Sequence, residues 1–280
     1  MDVIFFMLGV TACYTITSLS DRYAAHDVKF TGSEFTCLMC SSMSVFVACF
    51  LPFQERYLTL SWQSLAAVLL TALCKVLEFE MSMLVMKQIP AFELKAWLGI
   101  NLFVSYVTEL AGGADLNFIK LVCIGMTAVG LVLIVRSEKA EKTDYLKVGV
   151  PLILYLFSKY GYSIVIKTFT PFIAPTYQLL FAMIIITLAT LFRVKPIEIF
   201  RKSKKGALTV ILARIPNAAG TLLENAVIAI SITCYSFIQP MILVTLFIID
   251  IIKNHKRRRD RRELVGSAVC IAGILLFVFI

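Results

Sequence analysis

The stretch Leu121–Val135, LVCIGMTAVGLVLIV, recurs 143 residues later as Leu264–Val278, LVGSAVCIAGILLFV. In this register Gly130 matches Gly273, and both are expected to let helices approach closely, as are Gly125 and Gly266. The same offset places every other hydrophobic segment of the first half on one of the second. Five segments in each copy give ten. An odd number per copy makes the two copies cross a membrane in opposite directions.

Composition agrees with a membrane protein, because 59% of the residues are hydrophobic, only 16% are charged and the mean hydropathy is +0.86. Each apolar run is about 17–22 residues long, enough for a helix to cross a ~30 Å hydrocarbon core. The sequence therefore predicts an all-α integral membrane protein of two inverted five-helix repeats, residues 1–138 and 139–280. The predicted spans are Val3–Leu19, Phe35–Leu51, Leu65–Met86, Ile89–Val107, Phe118–Val135, Val148–Ile166, Phe172–Phe192, Ala207–Leu223, Ile232–Ile252 and Leu264–Ile280.

The net charge of +9 is distributed unevenly between the two sides of the predicted bundle. Odd-numbered loops hold 20 basic residues, whereas even-numbered loops hold only Arg56, Lys120 and Lys167. By the positive-inside rule the odd loops are cytoplasmic, and both termini lie on the other side. The basic loops 193–205 and 253–262 are interpreted as contacts to an anionic lipid leaflet, not to nucleic acid.

Motifs of enzymatic chemistry are not found in the sequence. His26 and His255 fall in loops, and no zinc-protease, nucleophile-elbow or phosphate-loop motif occurs. Cys37 and Cys40 form a lone CxxC without a second pair or a nearby histidine, which does not favour a metal site. We therefore expect no enzyme activity, no cofactor and no bound metal.

Ionisable residues inside the spans carry the functional signal. Each would cost roughly 2.5–3.5 kcal/mol at the centre of a lipid-facing helix, so they are expected to face the bundle interior. These residues are Lys75, Lys95, Lys159, Arg214, Glu78, Glu80, Glu93 and Glu224.

Helical spacing brings these charges together with other polar residues on single faces. On the third span Lys75 and Glu78 share a face, and on the eighth span Arg214, Asn217 and Glu224 do so. On the fourth span Glu93 and Lys95 point in nearly opposite directions. The predicted substrate-binding residues at the membrane midplane are Tyr14, Lys75, Glu78, Glu93, Lys95, Tyr155, Lys159, Arg214, Asn217, Glu224, Tyr235 and Gln239.

Three simpler interpretations compete with a binding site. Charges in spans can serve only as salt-bridged contacts between helices, and Lys75 can pair with Glu78 at i, i+3. Lys159 can extend toward the membrane surface.

Pro90, Pro216 and Pro240 are expected to interrupt helices near these polar groups.

The chain resembles the drug/metabolite transporter superfamily, and within it the chain is most similar to the ten-helix EamA-type branch. The resemblance covers the whole chain and is carried by the ten spans, the five-plus-five repeat and the glycine-spaced last helix of each repeat. It implies a central cavity lined by the first, third, fourth, sixth, eighth and ninth helices. Two features depart from the family pattern. Members usually keep both termini in the cytoplasm, whereas charge here places them outside. An acidic residue commonly follows the fourth helix and is present as Glu109, but its counterpart in the second repeat is Ile252.

The expected function is secondary transport of a small polar metabolite, an amino acid or another amine-bearing or zwitterionic solute, by alternating access. Glu78 is a candidate carrier of a coupling proton. The alternatives are an antiporter of phosphorylated or nucleotide-linked sugars, a lipid-linked flippase component and a non-transporting membrane subunit. The expected location is the cytoplasmic (plasma) membrane. A homodimer is compatible with the sequence but not required by it.

Overall fold

The computed structural model of the chain describes residues 2–53, 57–88, 94, 97–137, 145–253 and 261–279. These residues form helices joined by short turns, without a sheet among them. In chain order the helices are α1 (Asp2–His26), α2 (Gly32–Phe50), α3 (Trp62–Met86), α4 (Ile100–Ala111), α5 (Phe118–Ser137), α6 (Tyr145–Phe169), α7 (Pro175–Leu191), α8 (Pro196–Lys202), α9 (Lys204–Leu212), α10 (Arg214–Ile230), α11 (Ile232–Lys253) and α12 (Arg261–Phe279).

Several of these helices are suited to a membrane. Within the described residues, four stretches are long and apolar enough to cross one: Val3–Ala25, Gly32–Phe53, Val148–Phe169 and Lys204–Ile230. Helices α7 and α8 form a fifth if their pair, bent by 81°, is counted as one span. The protein is therefore all-helical, with apolar helices compatible with membrane insertion.

Local sequence explains where the helices begin. Thr31 and Glu34 form a capping box at the start of α2, each side chain accepting the other's backbone N–H. The hydroxyls of Ser61 and Ser203 accept backbone N–H groups at the starts of α3 and α9. These side chains satisfy donors that the first helical turn leaves open.

The helices differ from the predicted spans in three places. Helix α1 runs on to His26, past the predicted end at Leu19. In the fourth span, the structure shows helix α4, which runs on to Ala111, past the predicted end at Val107. Most of residues 89–99, including Pro90, lies outside the described residues. The eighth span is broken at Ala213 into α9 and α10.

The two other prolines behave differently from each other. Pro216 lies in the first turn of α10, just after the break, where its missing N–H costs nothing. The prediction that Pro240 interrupts a helix is wrong, because α11 continues through it. Membrane helices tolerate such a proline when neighbouring helices cover the freed carbonyl.

Glycines allow a close approach between α5 and α12. A Cβ atom on Gly130 would lie 2.6 Å from the carbonyl oxygen of Gly266, and one on Gly273 would lie 2.8 Å from that of Cys123. The two backbones therefore touch, as in the small-residue packing of membrane helices. The expectation for Gly125 is wrong, since open space faces it.

Other helix pairs in contact include α3 with α6, α1 with α10, α2 with α7 and α4 with α11, and α7 with α3, α11 with α1 and α10 with α2 also pack together. They arrange the bundle around a polar centre with two distinct ends. The end formed by residues 27–31 and 192–203 is called the basic end. The end formed by residues 57–61, 112–117, 170–174 and 231 is called the bridge end, after the pairing of Leu58 with Ile173.

Candidate functional site

The centre of the bundle holds a buried ion-pair cluster built on Glu78 of α3. One carboxylate oxygen lies 2.9 Å from Lys75 Nζ, and the other lies 2.7 Å from Lys159 Nζ on α6. The three side chains are less than 10% exposed. Lys75 Nζ also lies 3.8 Å above the centre of the Tyr162 ring, a cation–π contact. One carboxylate thus compensates two buried ammonium groups from two helices.

A second carboxylate, Glu224 on α10, extends this cluster. Its Oε1 lies 4.0 Å from Lys159 Nζ and has no hydrogen-bond partner among the described residues. The Tyr14 hydroxyl on α1 donates to Oε2 and lies 3.0 Å from Thr221 Oγ1. Lys159 therefore stands between two carboxylates, of which only Glu78 holds it at hydrogen-bond distance.

Arg214 forms a separate ion pair nearer the basic end. It is fully buried and pairs through Nη2 with Asp21 of α1, while its Nε donates to the carbonyl of Val210. Its guanidinium also faces the Phe35 ring at 5.8 Å. Nη1 has no hydrogen-bond partner among the described residues. With this pair, the described charges of the centre are three cations and three anions.

These groups surround a cavity with a free volume of about 100 Å³. Charged and polar side chains line one part of it, while methionine, phenylalanine and leucine line the rest. The lining residues are Tyr14, Thr17, Ser18, Asp21, Phe35, Met39, Met43, Lys75, Glu78, Phe79, Ser82, Met86, Leu94, Tyr155, Lys159, Met183, Asn217, Thr221 and Gln239.

The cavity extends toward the basic end and not toward the bridge end. Along α1 its lining runs from Tyr14 to Asp21, toward the connection with α2. On the bridge side the helices meet in a buried layer. There the Tyr162 hydroxyl donates to Asn225 Oδ1 at 2.7 Å, and the hydroxyls of Ser105 and Ser236 lie 2.5 Å apart.

The structure brings most of the predicted site residues together. Seven of the twelve line the cavity: Tyr14, Lys75, Glu78, Tyr155, Lys159, Asn217 and Gln239. Glu224 lies behind Tyr14, and Arg214 reaches the lining through Asp21. Tyr235 is buried among apolar side chains beside the cavity. Glu93 and Lys95 lie outside the described residues.

Sequence reasoning missed Asp21 and the apolar wall. Asp21 continues the helical spacing of Tyr14 and Ser18 at i+7, but it lies beyond Leu19, where the predicted first span ends. The methionines Met39, Met43, Met86 and Met183 are ordinary core residues by composition, and only packing assigns them to the cavity. Among the described residues, no group of three His, Cys, Asp or Glu side chains could hold a metal ion.

Comparison with known proteins supports the fold but assigns no function. No protein-family model matches the chain, and no curated protein is significantly similar to it. One crystal structure, described only as that of a protein, is similar with a TM-score of 0.70 and 12% sequence identity. The match covers 98% of this chain and 95% of the other. The fold therefore recurs over its full length in a solved structure.

Proposed function

We propose that this chain is a secondary transporter that moves a small amine-bearing or zwitterionic metabolite across a membrane by alternating access. The observation that carries the proposal is the ion-pair cluster of Lys75, Glu78 and Lys159 on the wall of a central cavity. Buried charges are costly in a membrane bundle, and they mark solute pathways where they are retained. A purely structural subunit has no need of such groups around empty space.

Ten spans in two inverted repeats are part of the same proposal. The helix pairs support it, because a two-fold axis relating residues 143 apart exchanges α5 with α12, α2 with α7 and α4 with α11. It also exchanges the pair α3–α6 with α10–α1, and all these pairs are in contact. The close approaches of Gly130 and Gly273 are counterparts at this offset.

Individual contacts in the centre follow the same offset. Gln178 Nε2 of α7 donates to Thr71 Oγ1 of α3 at 2.7 Å. The counterparts of these two residues are Phe35 and Arg214, whose ring and guanidinium lie 5.8 Å apart. The contact is kept while its chemistry has changed, which is expected when two copies of one unit diverge. The drug/metabolite transporter superfamily is the family with which we associate this layout.

The cavity supports a small solute with one polar and one apolar part. Its described charges sum to zero, so a zwitterion enters without adding net charge to the interior. The wall of Met39, Met43, Met86 and Met183 offers a soft apolar surface. A free volume of about 100 Å³ is below the roughly 300–1,000 Å³ of sites for drug-sized ligands.

A carrier of phosphorylated or nucleotide-linked sugars fits this centre less well. Such a solute needs cations free to meet phosphate. Among the described residues Lys75 and Lys159 are both held by Glu78, and Arg214 is held by Asp21.

The orientation is proposed from charge. The basic end is assigned to the cytoplasm of a cell whose plasma membrane holds the protein, and the termini to the other side. The cavity then faces the cytoplasm in this conformation. A reporter fused to either terminus tests the assignment, and cytoplasmic termini would reverse it.

Transport is tested on purified protein. A thermal-shift screen of amino acids, amines and sugar phosphates selects a solute, whose radiolabelled form is then followed into proteoliposomes. We expect an amine-bearing zwitterion to raise the unfolding temperature and to enter faster than into protein-free liposomes. Tyr14→Phe, which removes the hydroxyl bound to Glu224, should abolish uptake at unchanged fold.

The matched control is Tyr177→Phe, because Tyr177 stacks on Phe181 at 6.0 Å and does not line the cavity. It should transport like the original protein. Uptake that survives Tyr14→Phe, or no binding by any amine-bearing solute, would contradict the proposal.

A further inference from the structure

A second cavity lies at the bridge end, separate from the central one. It has a volume of about 530 Å³, within the roughly 300–1,000 Å³ typical of small-molecule sites. The ends of α4 and α6 and the starts of α5 and α11 surround it. Nothing in the proposed transport chemistry of the centre uses this cavity.

Two lysines meet in this cavity although basic residues are scarce on this side of the chain. Of the three basic residues that the sequence assigns to even-numbered loops, two line it: Lys120 in the first turn of α5 and Lys167 in the last turn of α6. Within the described part of the chain, neither has a carboxylate within 4.0 Å. Lys120 Nζ lies 5.4 Å from the centre of the Phe277 ring. Both ammonium groups are therefore available to an anion.

The carboxylate in the cavity, Glu109, is already occupied. It accepts hydrogen bonds from Ser231 Oγ at 2.8 Å, Thr233 Oγ1 at 2.7 Å and the Thr233 N–H at 3.2 Å. It thus compensates the positive start of α11 and ties α4 to it. Its charge against two lysines leaves the cavity with a net charge of +1, which one negative charge would balance.

The remaining wall is mixed. Ile164, Ile230 and Ile232 present apolar surface, and Thr168 also lines the cavity. We propose that this cavity binds a singly charged anionic group that carries an apolar part, on Lys120 and Lys167. A small organic acid and the phosphodiester of an anionic lipid share this chemistry. The proposal does not depend on transport, since it concerns binding alone.

The test uses 4-fluorobenzoate as the probe and ¹⁹F NMR line broadening as the measurement. The purified, delipidated full chain is kept in a neutral sugar detergent. We expect saturable binding that weakens at least tenfold in the double variant Lys120→Met/Lys167→Met. Ala114→Trp keeps both lysines but fills the cavity that Ala114 lines, and we expect the same loss. Neither site is in the buried core, so both variants should fold.

The control is Lys195→Met, which removes an exposed lysine at the basic end. Binding should be unchanged in it. Three results would overturn the proposal: no saturable binding, binding unaffected by both cavity variants, or an equal loss in the control. Loss in the lysine variant but not in Ala114→Trp would also overturn it, because surface attraction alone would then explain binding.

A second measurement separates the two sources of the anion. Phosphatidylglycerol, added in steps to the same micelles, competes with the probe if a lipid headgroup is the natural occupant. Displacement of the probe by phosphatidylglycerol, but not by the same amount of the zwitterionic lipid phosphatidylcholine, supports the lipid. Probe binding unaffected by this lipid supports a soluble organic acid.

Discussion

The two ends of the molecule are joined by different kinds of contact. At the bridge end, backbone groups pair directly, since the Thr59 N–H donates to the Phe172 carbonyl at 3.0 Å. At the equivalent position of the basic end a side chain makes the contact, since Lys202 Nζ donates to the Lys29 carbonyl at 3.2 Å. Lys202 and Lys29 are the counterparts of Thr59 and Phe172 at the 143-residue offset.

This difference suggests how one fold can hold one end shut and leave the other adjustable. The bridge end adds two further backbone and side-chain bonds, from Ala174 to Tyr57 and from Tyr57 to Thr170. The polar contact at the basic end is an ion pair between Lys202 and Glu34, in which the Lys202 side chain is 37% exposed. Phe30 and Ile199 of this end are buried in an apolar cluster. Exposed ion pairs are weak and easily exchanged with water. The cavity lies on the side where the joining polar contacts are weaker.

The largest loss of stability is expected from a change in the ion-pair cluster, which lies between the two ends. Glu78→Gln leaves Lys75 and Lys159 without their shared carboxylate, and loss of one member of a buried pair costs about 3–5 kcal/mol. We expect this loss in unfolding titrations with sodium dodecyl sulfate in mixed micelles. Glu80→Gln, on the same helix beside Ser33, is the control and should change stability little. A stable Glu78→Gln protein would contradict the bridging role.

The geometry of the ion-pair cluster also bears on which carboxylate could carry a coupling proton. Both oxygens of Glu78 are held by ammonium groups, whereas Oε1 of Glu224 lacks a hydrogen bond among the described residues. Glu224 is therefore the better candidate for a carboxyl that takes up and releases a proton. Glu224→Gln should keep exchange of the transported solute but lose accumulation driven by a pH gradient. Unchanged pH-driven accumulation would exclude this role.

At the bridge end, Glu109→Ala should cost roughly 2–3 kcal/mol, because it removes the acceptor of hydrogen bonds to a charged group. Glu109 lies beyond the predicted fourth span. Burial raises the pKa of its carboxyl, but hydrogen bonds from Thr233 and Ser231 and the charge of Lys167 outweigh burial and lower the pKa below its ordinary value.

A lowered pKa in the folded state means that this contribution is present above the ordinary pKa and lost as pH falls through the folded value. The difference in stability between the original protein and Glu109→Ala should therefore shrink on acidification below about pH 4. Glu198→Gln at the basic end is the matched control, since Glu198 is 65% exposed and, among the described residues, pairs with Lys195 alone at 3.4 Å. A difference that grows on acidification would contradict the assignment.

The glycine contact tests the proposed two-fold relation between the two halves of the chain. Gly130→Ala and Gly273→Ala should each cost roughly 1–2 kcal/mol, because the new methyl group meets the backbone of the facing helix. Gly125→Ala meets open space and should stabilise the helix slightly. Equal losses at the two counterpart glycines fit the repeat, and a loss at only one would argue against equivalent packing.

The smallest effect is expected at the basic end. Lys202→Ala removes an exposed ion pair and one hydrogen bond, so stability should fall by roughly 0.5–1 kcal/mol. The same titrations measure it beside Lys195→Ala, whose partner is also exposed. If Lys202→Ala lowered stability as much as Glu109→Ala, the polar contacts of the two ends would not differ in strength.

Periodicity in the sequence identified much of the centre but not its pairing. Lys75 and Glu78 share a helical face, so their position toward the interior could be predicted. That Lys159 of another helix completes the pair depends on how α3 packs on α6, which a single helix pattern does not contain. The break at Ala213 was also missed, because continuous hydrophobicity hides a local end of helix. Charge bias gave no sign that Lys120 and Lys167 share a cavity.

In the proposed transport cycle, solute reaches the ion-pair cluster from the basic end. Ser82 lines the cavity on this side, so Ser82→Cys is introduced into a Cys49→Ser background, which removes the one exposed native cysteine. Oriented proteoliposomes, whose sidedness is read from trypsin cleavage in loop 193–205, are treated with a membrane-impermeant maleimide. The background protein without Ser82→Cys gives the baseline. We predict labelling from the face that carries this loop and protection by the transported solute. Labelling only from the opposite face, or none from either face, would contradict solute entry from the basic end.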